Sequence, residues 1–93
     1  MDGGHMTALE KSIKLQAAIV ELAPKSWEVQ ASLANLYYYG GDDATAEIHA
    51  RQAVLLNAGV ATTQKLLGRI LVQVGRSQEG LPHLQEALGM SNA

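Results

Sequence analysis

At 93 residues the chain is one small domain, and a domain of this size buries only roughly 60% of the surface its unfolded chain exposes, so each core contact matters. Apolar residues make up 47%, yet phenylalanine is absent and aromatics are 4%, so the core must be built from Leu, Ala, Val and Ile. A net charge of −2 with both signs scattered along the chain gives no basic stripe for nucleic acid, and the lack of cysteine removes disulfides and zinc thiolates.

In chain order, residues 1–6 are polar and glycine-rich and read as an expression-tag remnant, which leaves His5 without chemistry and 7–93 as a single domain. A first helix is expected from about Thr7 to Ala23, with Leu9, Ile13, Ala17 and Val20 at three- and four-residue spacing and Pro24 as its stop. A second runs from Ser26, a suitable N-cap, to Tyr39, where Gly40-Gly41 ends it. A third begins at Asp42 or Asp43 and reaches about Asn57; a fourth covers Ala61 to Val74 before Gly75, and a fifth Ser77 to Gly89. No segment alternates with period two, so the chain is expected to be all-α. No apolar run reaches the ~18 residues of a spanning helix. The segment therefore reads as soluble with no membrane insertion of its own, and the sequence leaves its compartment, cytoplasmic or periplasmic, unknown.

The third and fifth helices superpose with their turns at a constant shift of 34 residues, Gly41 onto Gly75. The same shift carries Leu33 to Leu67, Ala34 to Gly68, Leu36 to Ile70, Tyr37 to Leu71, Ala46 to Gly80, His49 to His83 and Ala53 to Ala87. On these residues the chain resembles the tetratricopeptide repeat (TPR) family, whose unit is a helix, a turn and a helix in 34 residues. The matching signatures are Leu33-Ala34 with Tyr37 and Leu67-Gly68 with Leu71, then Ala46, Ala50, Ala53 and Gly80, Leu84, Ala87. The pattern departs at Ala58 and Asn92, where the family has a helix-ending Pro, at Glu47 in a usually apolar place, and at Pro82 inside the last helix. The resemblance implies a short right-handed solenoid of about 2.5 repeats and five helices: a partial repeat over 7–26 and full repeats over 27–60 and 61–93. It also implies that first helices line a concave face that binds protein. Ala46 and Ala53 are expected where helices meet, with Arg51 facing outward.

Chemistry finds little support. Asp42 and Asp43 follow turn glycines at a helix start, and the only other aspartate is Asp2, so N-capping explains them and a two-metal site cannot be completed. His49 and His83 stand one repeat apart, roughly 10 Å or more across stacked helices, too far to share a metal. With no cysteine, no Gly-x-Ser-x-Gly and no phosphate loop, the chain reads as a non-enzyme without cofactor or metal.

Surface recognition remains. Glu28, Ala31, Asn35, Tyr38 and Tyr39 on the second helix and Thr62, Lys65, Arg69, Val72 and Gln73 on the fourth are expected to line the concave groove, while Tyr37 goes to the core. Lys65 and Arg69 are neighbours on one helical face. With Asn35 they look like part of the carboxylate clamp of chaperone-tail-binding TPR proteins; an ordinary solvated face accounts for the same charges. The expected function is protein or peptide binding, with a structural spacer or self-association segment as the alternative. Apolar ends point to the latter: Leu9 and Ile13, with Leu15 and Ile19, at the N-terminal end, and Leu81, Leu84 and Leu88, with Met90, at the C-terminal end. Their exposure predicts a homodimer of the isolated segment.

Overall fold

The computed structural model describes residues 6–91, so the reading of 1–5 lies outside the described residues. Five helices follow one another: α1 (Ala8–Leu22), α2 (Trp27–Tyr39), α3 (Asp43–Leu56), α4 (Ala61–Gln73) and α5 (Ser77–Ser91). No strand occurs among the described residues.

Local chemistry sets most boundaries. Thr7 and Glu10 form a reciprocal capping box at the start of α1, with the Glu10 amide donating to Thr7 Oγ1 at 3.1 Å and the Thr7 amide to Glu10 Oε1 at 2.8 Å. The hydrogen bonds from Thr7 hold the Glu10 carboxyl below its ordinary range. Ser26 accepts from the Val29 amide and caps α2, and Asp42 accepts from the Thr45 amide and caps α3, which leaves Asp43 as the first helical residue. Gly41 and Gly75 sit in the left-handed region at φ 86° and 85°. In each case the residue after the glycine donates back to a carbonyl five residues earlier, Asp42 to Tyr37 and Arg76 to Leu71. This is the glycine-dependent helix ending that a carbon side chain would strain. Pro82 does not interrupt α5, which continues two residues beyond the expected Gly89. Its missing N–H falls in the second turn, and the rest of the ladder carries the helix on.

The helices stack in sequence, α2 against α3, α4 against α5, α3 against α4, and α1 against α2 alone. An elongated body of 51 × 29 × 18 Å results. Ala34, Ala46, Ala50 and Ala53 are fully buried beside Leu33, Leu67, Ile70 and Leu71, so small residues let helix axes approach while leucines fill the space between. The second repeat is tighter still. A Cβ on Gly80 would lie 2.8 Å from the Gly68 carbonyl oxygen, and one on Gly68 would lie 2.7 Å from Leu84 Cγ.

One expectation about this packing needs correction. Arg51 does not simply face outward. Its Nε donates to Glu47 Oε2 at 2.8 Å and its Nη2 to Glu79, while Arg76 holds both oxygens of Glu47 at 2.9 Å and pairs with Glu79. Two arginines and two glutamates thus close a ring across the two repeats. The ring also accounts for Glu47 in a usually apolar place, since its side chain is mostly buried and its carboxylate is fully occupied.

Candidate functional site

Because α3 returns the chain antiparallel to α2, the first helices of the two repeats, α2 and α4, lie side by side. Between them runs an open groove of about 380 Å³. From α2 it takes Trp27, Ala31 and Asn35, spaced four apart on one stripe, together with Glu28 and Ser32. From α4 it takes Thr62, Lys65 and Arg69 over the more deeply set Thr63 and Leu66.

Of the groove residues expected from sequence, Glu28, Ala31, Asn35, Thr62, Lys65 and Arg69 come together here. Tyr38 stands just past this lining, with the Arg69 guanidinium carbon 5.8 Å from its ring centroid, a cation–π distance that steadies the arginine. Tyr39 is 70% exposed, tilted against Tyr38 at 6.0 Å, and does not line the groove. Gln73 is exposed and lies outside it as well. Val72 contacts the Gly80 region of α5 instead. Both Tyr39 and Gln73 are the last residues of their helices, so the expected face was extended one turn too far.

Sequence reasoning missed Trp27, Ser32, Thr63 and Leu66. Trp27 was legible in principle, because it precedes Ala31 and Asn35 at helical spacing, but it sits at the first position of α2, where helix ends are hardest to place.

The groove's charge is mixed but unbalanced. Among the described residues, neither Lys65 nor Arg69 forms an ion pair, whereas Glu28 already accepts from Ser26 Oγ at 3.3 Å. Two cations four residues apart with no protein anion, and an exposed amide at Asn35 beside them, can take a carboxylate by charge-assisted hydrogen bonds. Trp27, Ala31 and Leu66 give an adjoining apolar strip.

The histidines lie elsewhere and serve another purpose. His49 Nδ1 meets Gln30 Oε1 at 2.8 Å, and Gln30 Nε2 donates to the Pro24 carbonyl at 3.1 Å. One repeat later His83 Nδ1 meets Gln64 Oε1 at 2.7 Å, and Gln64 Nε2 donates to the Ala58 carbonyl at 3.0 Å. With each amide nitrogen committed to a carbonyl, the amide oxygen must accept, and this places the imidazole proton on Nδ1. Burial pushes His49 below its ordinary pKa, and its ring stacks on Tyr37 at 5.8 Å, which packs against the core. These braces join the two helices of each repeat to the turn before it.

At the chain's ends, Leu9 and Ile13 are half-buried, with Leu9 lying against Gly40, while Leu15 is exposed. Leu84 packs on Gly68, and Leu81 and Leu88 are 51% and 62% exposed. Leu84 and Leu88 border a second, more apolar groove of about 390 Å³ with Ala61, Thr62, Lys65 and Ala87.

No family model matches the sequence, and no curated protein does. Among solved structures the chain is similar to MamA MSR-1 C2, with a TM-score of 0.82 and 19% identity over 90% of this chain and 48% of that one. It is also similar to an arginine-to-glutamate mutant of MamA, with a TM-score of 0.83 and 20% identity over 89% of this chain and 61% of that one. The chain spans about half to three-fifths of the length of these MamA chains. At this identity the likeness shows the fold, an all-α stack of helical repeats.

Proposed function

We propose that the chain is a protein-interaction module of the tetratricopeptide type, without chemistry of its own, whose α2–α4 groove holds an acidic or C-terminal carboxylate of a peptide. The observation that carries this reading is the presence of Asn35, Lys65 and Arg69 in one open groove, the two cations without protein anions among the described residues. Lys65 and Arg69 supply charge-assisted hydrogen bonds, Asn35 orients the carboxylate, and Trp27, Ala31 and Leu66 receive a neighbouring apolar side chain. Arg69 keeps its position through Tyr38. Glu28, at the other end of the groove, disfavours a second acid there and so fixes the peptide's direction.

A pull-down with wild-type protein and the Lys65→Ala/Arg69→Ala double variant tests this. Each charged hydrogen bond lost removes ~1.5–3 kcal/mol, between about tenfold and about a hundredfold in affinity. The loss should shrink at high salt while helicity stays constant. Undiminished capture of the same partner by the double variant would refute the reading.

A further inference from the structure

The α2–α4 groove carries opposite charges at its two ends. Along α2 it begins at Trp27 and Glu28 and runs past Ala31 to Asn35. The 34-residue shift sets Lys65 of α4 level with Ala31 and Arg69 level with Asn35. Arg69 reaches further still toward the C-terminal end of α2, where its guanidinium carbon lies 5.8 Å from the Tyr38 ring centroid. The acid therefore stands at one end, and the bases stand in the middle and at the other. Every lining residue belongs to α2 or α4, so nothing that covers α1 or α5 alters this arrangement.

Glu28 is not used up by the fold. It is exposed, its Oε1 accepts only from Ser26 Oγ at 3.3 Å, and among the described residues no Lys or Arg pairs with it. An acid in the first turn of a helix is favoured by the positive helix end, but the repeat does not require one here. The equivalent position on α4 is Thr62, and α4 has no acid in its first turn. Trp27 adjoins Glu28 and is half-buried in the same groove. A carboxylate with an open oxygen beside an indole holds a cation, by a charge-assisted hydrogen bond and a cation–π contact. Glu28 and Asn35 are seven residues apart on one helix, which is roughly 10 Å along its axis at about 1.5 Å per residue. An extended peptide covers that length in about three residues.

We infer that the groove selects C-terminal peptides with a Lys or Arg about three residues before the last one. Glu28 and Trp27 hold that cation while Asn35, Lys65 and Arg69 hold the terminal carboxylate. The inference rests on the carboxylate reading of the groove and adds a second anchor at a set distance from the first. The test uses short peptides that end in an acidic residue with a free carboxylate and carry Lys, Ala or Glu three residues before it. Their N-termini are acetylated, so that no terminal amine supplies the cation. Titrated against the full chain with Trp27 fluorescence as the signal, the Lys peptide should bind about threefold more tightly than the Ala peptide and about tenfold more tightly than the Glu peptide, the modest advantage of an exposed ion pair with an aromatic beside it. Moving the Lys three residues further from the end should remove its advantage. Glu28→Gln should reduce the discrimination, and Glu28→Lys should reverse it in favour of the Glu peptide, with circular dichroism unchanged in both. A wild-type protein that prefers free to amidated peptides but binds the Lys and Ala peptides equally would overturn this inference and leave the carboxylate reading standing. A Lys preference undiminished in Glu28→Gln would overturn it as well. Equal affinity for free and amidated peptides would remove the carboxylate reading, and this inference with it.

Discussion

Two glycines of α5 offer a controlled test of how tightly the second repeat is packed. Replacing a helical glycine by alanine brings ~1 kcal/mol of helix propensity wherever it is done inside a helix. At Gly89 nothing lies within 4 Å of the added Cβ, so Gly89→Ala should stabilise by up to that amount, less because the helix ends two residues later. At Gly80 the added Cβ would lie 2.8 Å from the Gly68 carbonyl oxygen, 3.0 Å from Leu71 Cβ and 3.1 Å from Val72 Cγ2. The first of these is backbone and cannot rotate away, so α4 and α5 must separate, at an overpacking cost of roughly 1–3 kcal/mol. Gly80→Ala should therefore be neutral to destabilising, and the two variants should differ by roughly 1–3 kcal/mol. For a domain of this size about 1 kcal/mol moves Tm by roughly 4–8 °C, so thermal unfolding followed by circular dichroism should separate them by at least 4 °C. Equal Tm values would mean that α4 and α5 do not meet as closely as described.

Three further outcomes follow from the same packing. Gln30→Ala leaves the half-buried His49 Nδ1–H and the Pro24 carbonyl without their partner, and should cost about 1–3 kcal/mol in chemical denaturation, with Gln64→Ala costing a similar amount. Asp42→Ala should cost about 1 kcal/mol by removing a cap, and Asp43→Ala only a few tenths; equal losses would contradict the assignment of the cap. Hydrogen bonds from Arg51 and then Arg76 lower the Glu79 carboxyl pKa, so its contribution is complete above the unfolded carboxylate value near 4.5 and disappears as pH falls through the folded one. Glu79→Gln should flatten that part of an acid-unfolding profile, and an unchanged profile would show that the ring does not contribute.

How much of this could be seen in the sequence depended on how local each cause was. Helix ends written in one short stretch were legible: Ser26 before α2, Asp42 after a glycine pair, Gly75 after α4. So was the 34-residue shift, because alanine and glycine at equivalent positions are packing requirements that recur with the repeat. The Glu47–Arg51–Arg76–Glu79 ring was not, since it joins residues 28 and 29 positions apart and Arg51 alone looks like any solvated arginine. The Gln30–His49 and Gln64–His83 braces are no more legible, although both span 19 residues and repeat at the 34-residue shift. A histidine pair one repeat apart has the residue type of a metal site, whereas a lone glutamine carries no such signal, and the fold uses each histidine with its glutamine. Helical spacing brings Glu28, Asn35, Thr62, Lys65 and Arg69 to one groove, but it extends the stripe to Tyr39 and Gln73, which lie outside that groove, and it leaves out Trp27, which lines it.

The position of Trp27 also provides the most direct test of the central claim, that the α2–α4 groove binds a peptide through a carboxylate at Lys65 and Arg69. Trp27 is the only tryptophan in the chain, and it lines that groove. Titrating the protein with short peptides that end in an acidic residue and a free carboxylate, while following Trp27 fluorescence, should give a saturable change. Amidating the peptide's C-terminus should weaken binding about tenfold or more, and Lys65→Ala/Arg69→Ala should weaken it comparably while making the amidated and free peptides equivalent. A saturable response with the same affinity for free and amidated peptides in the wild-type protein, or no response to any acidic peptide at millimolar concentration, would contradict the account.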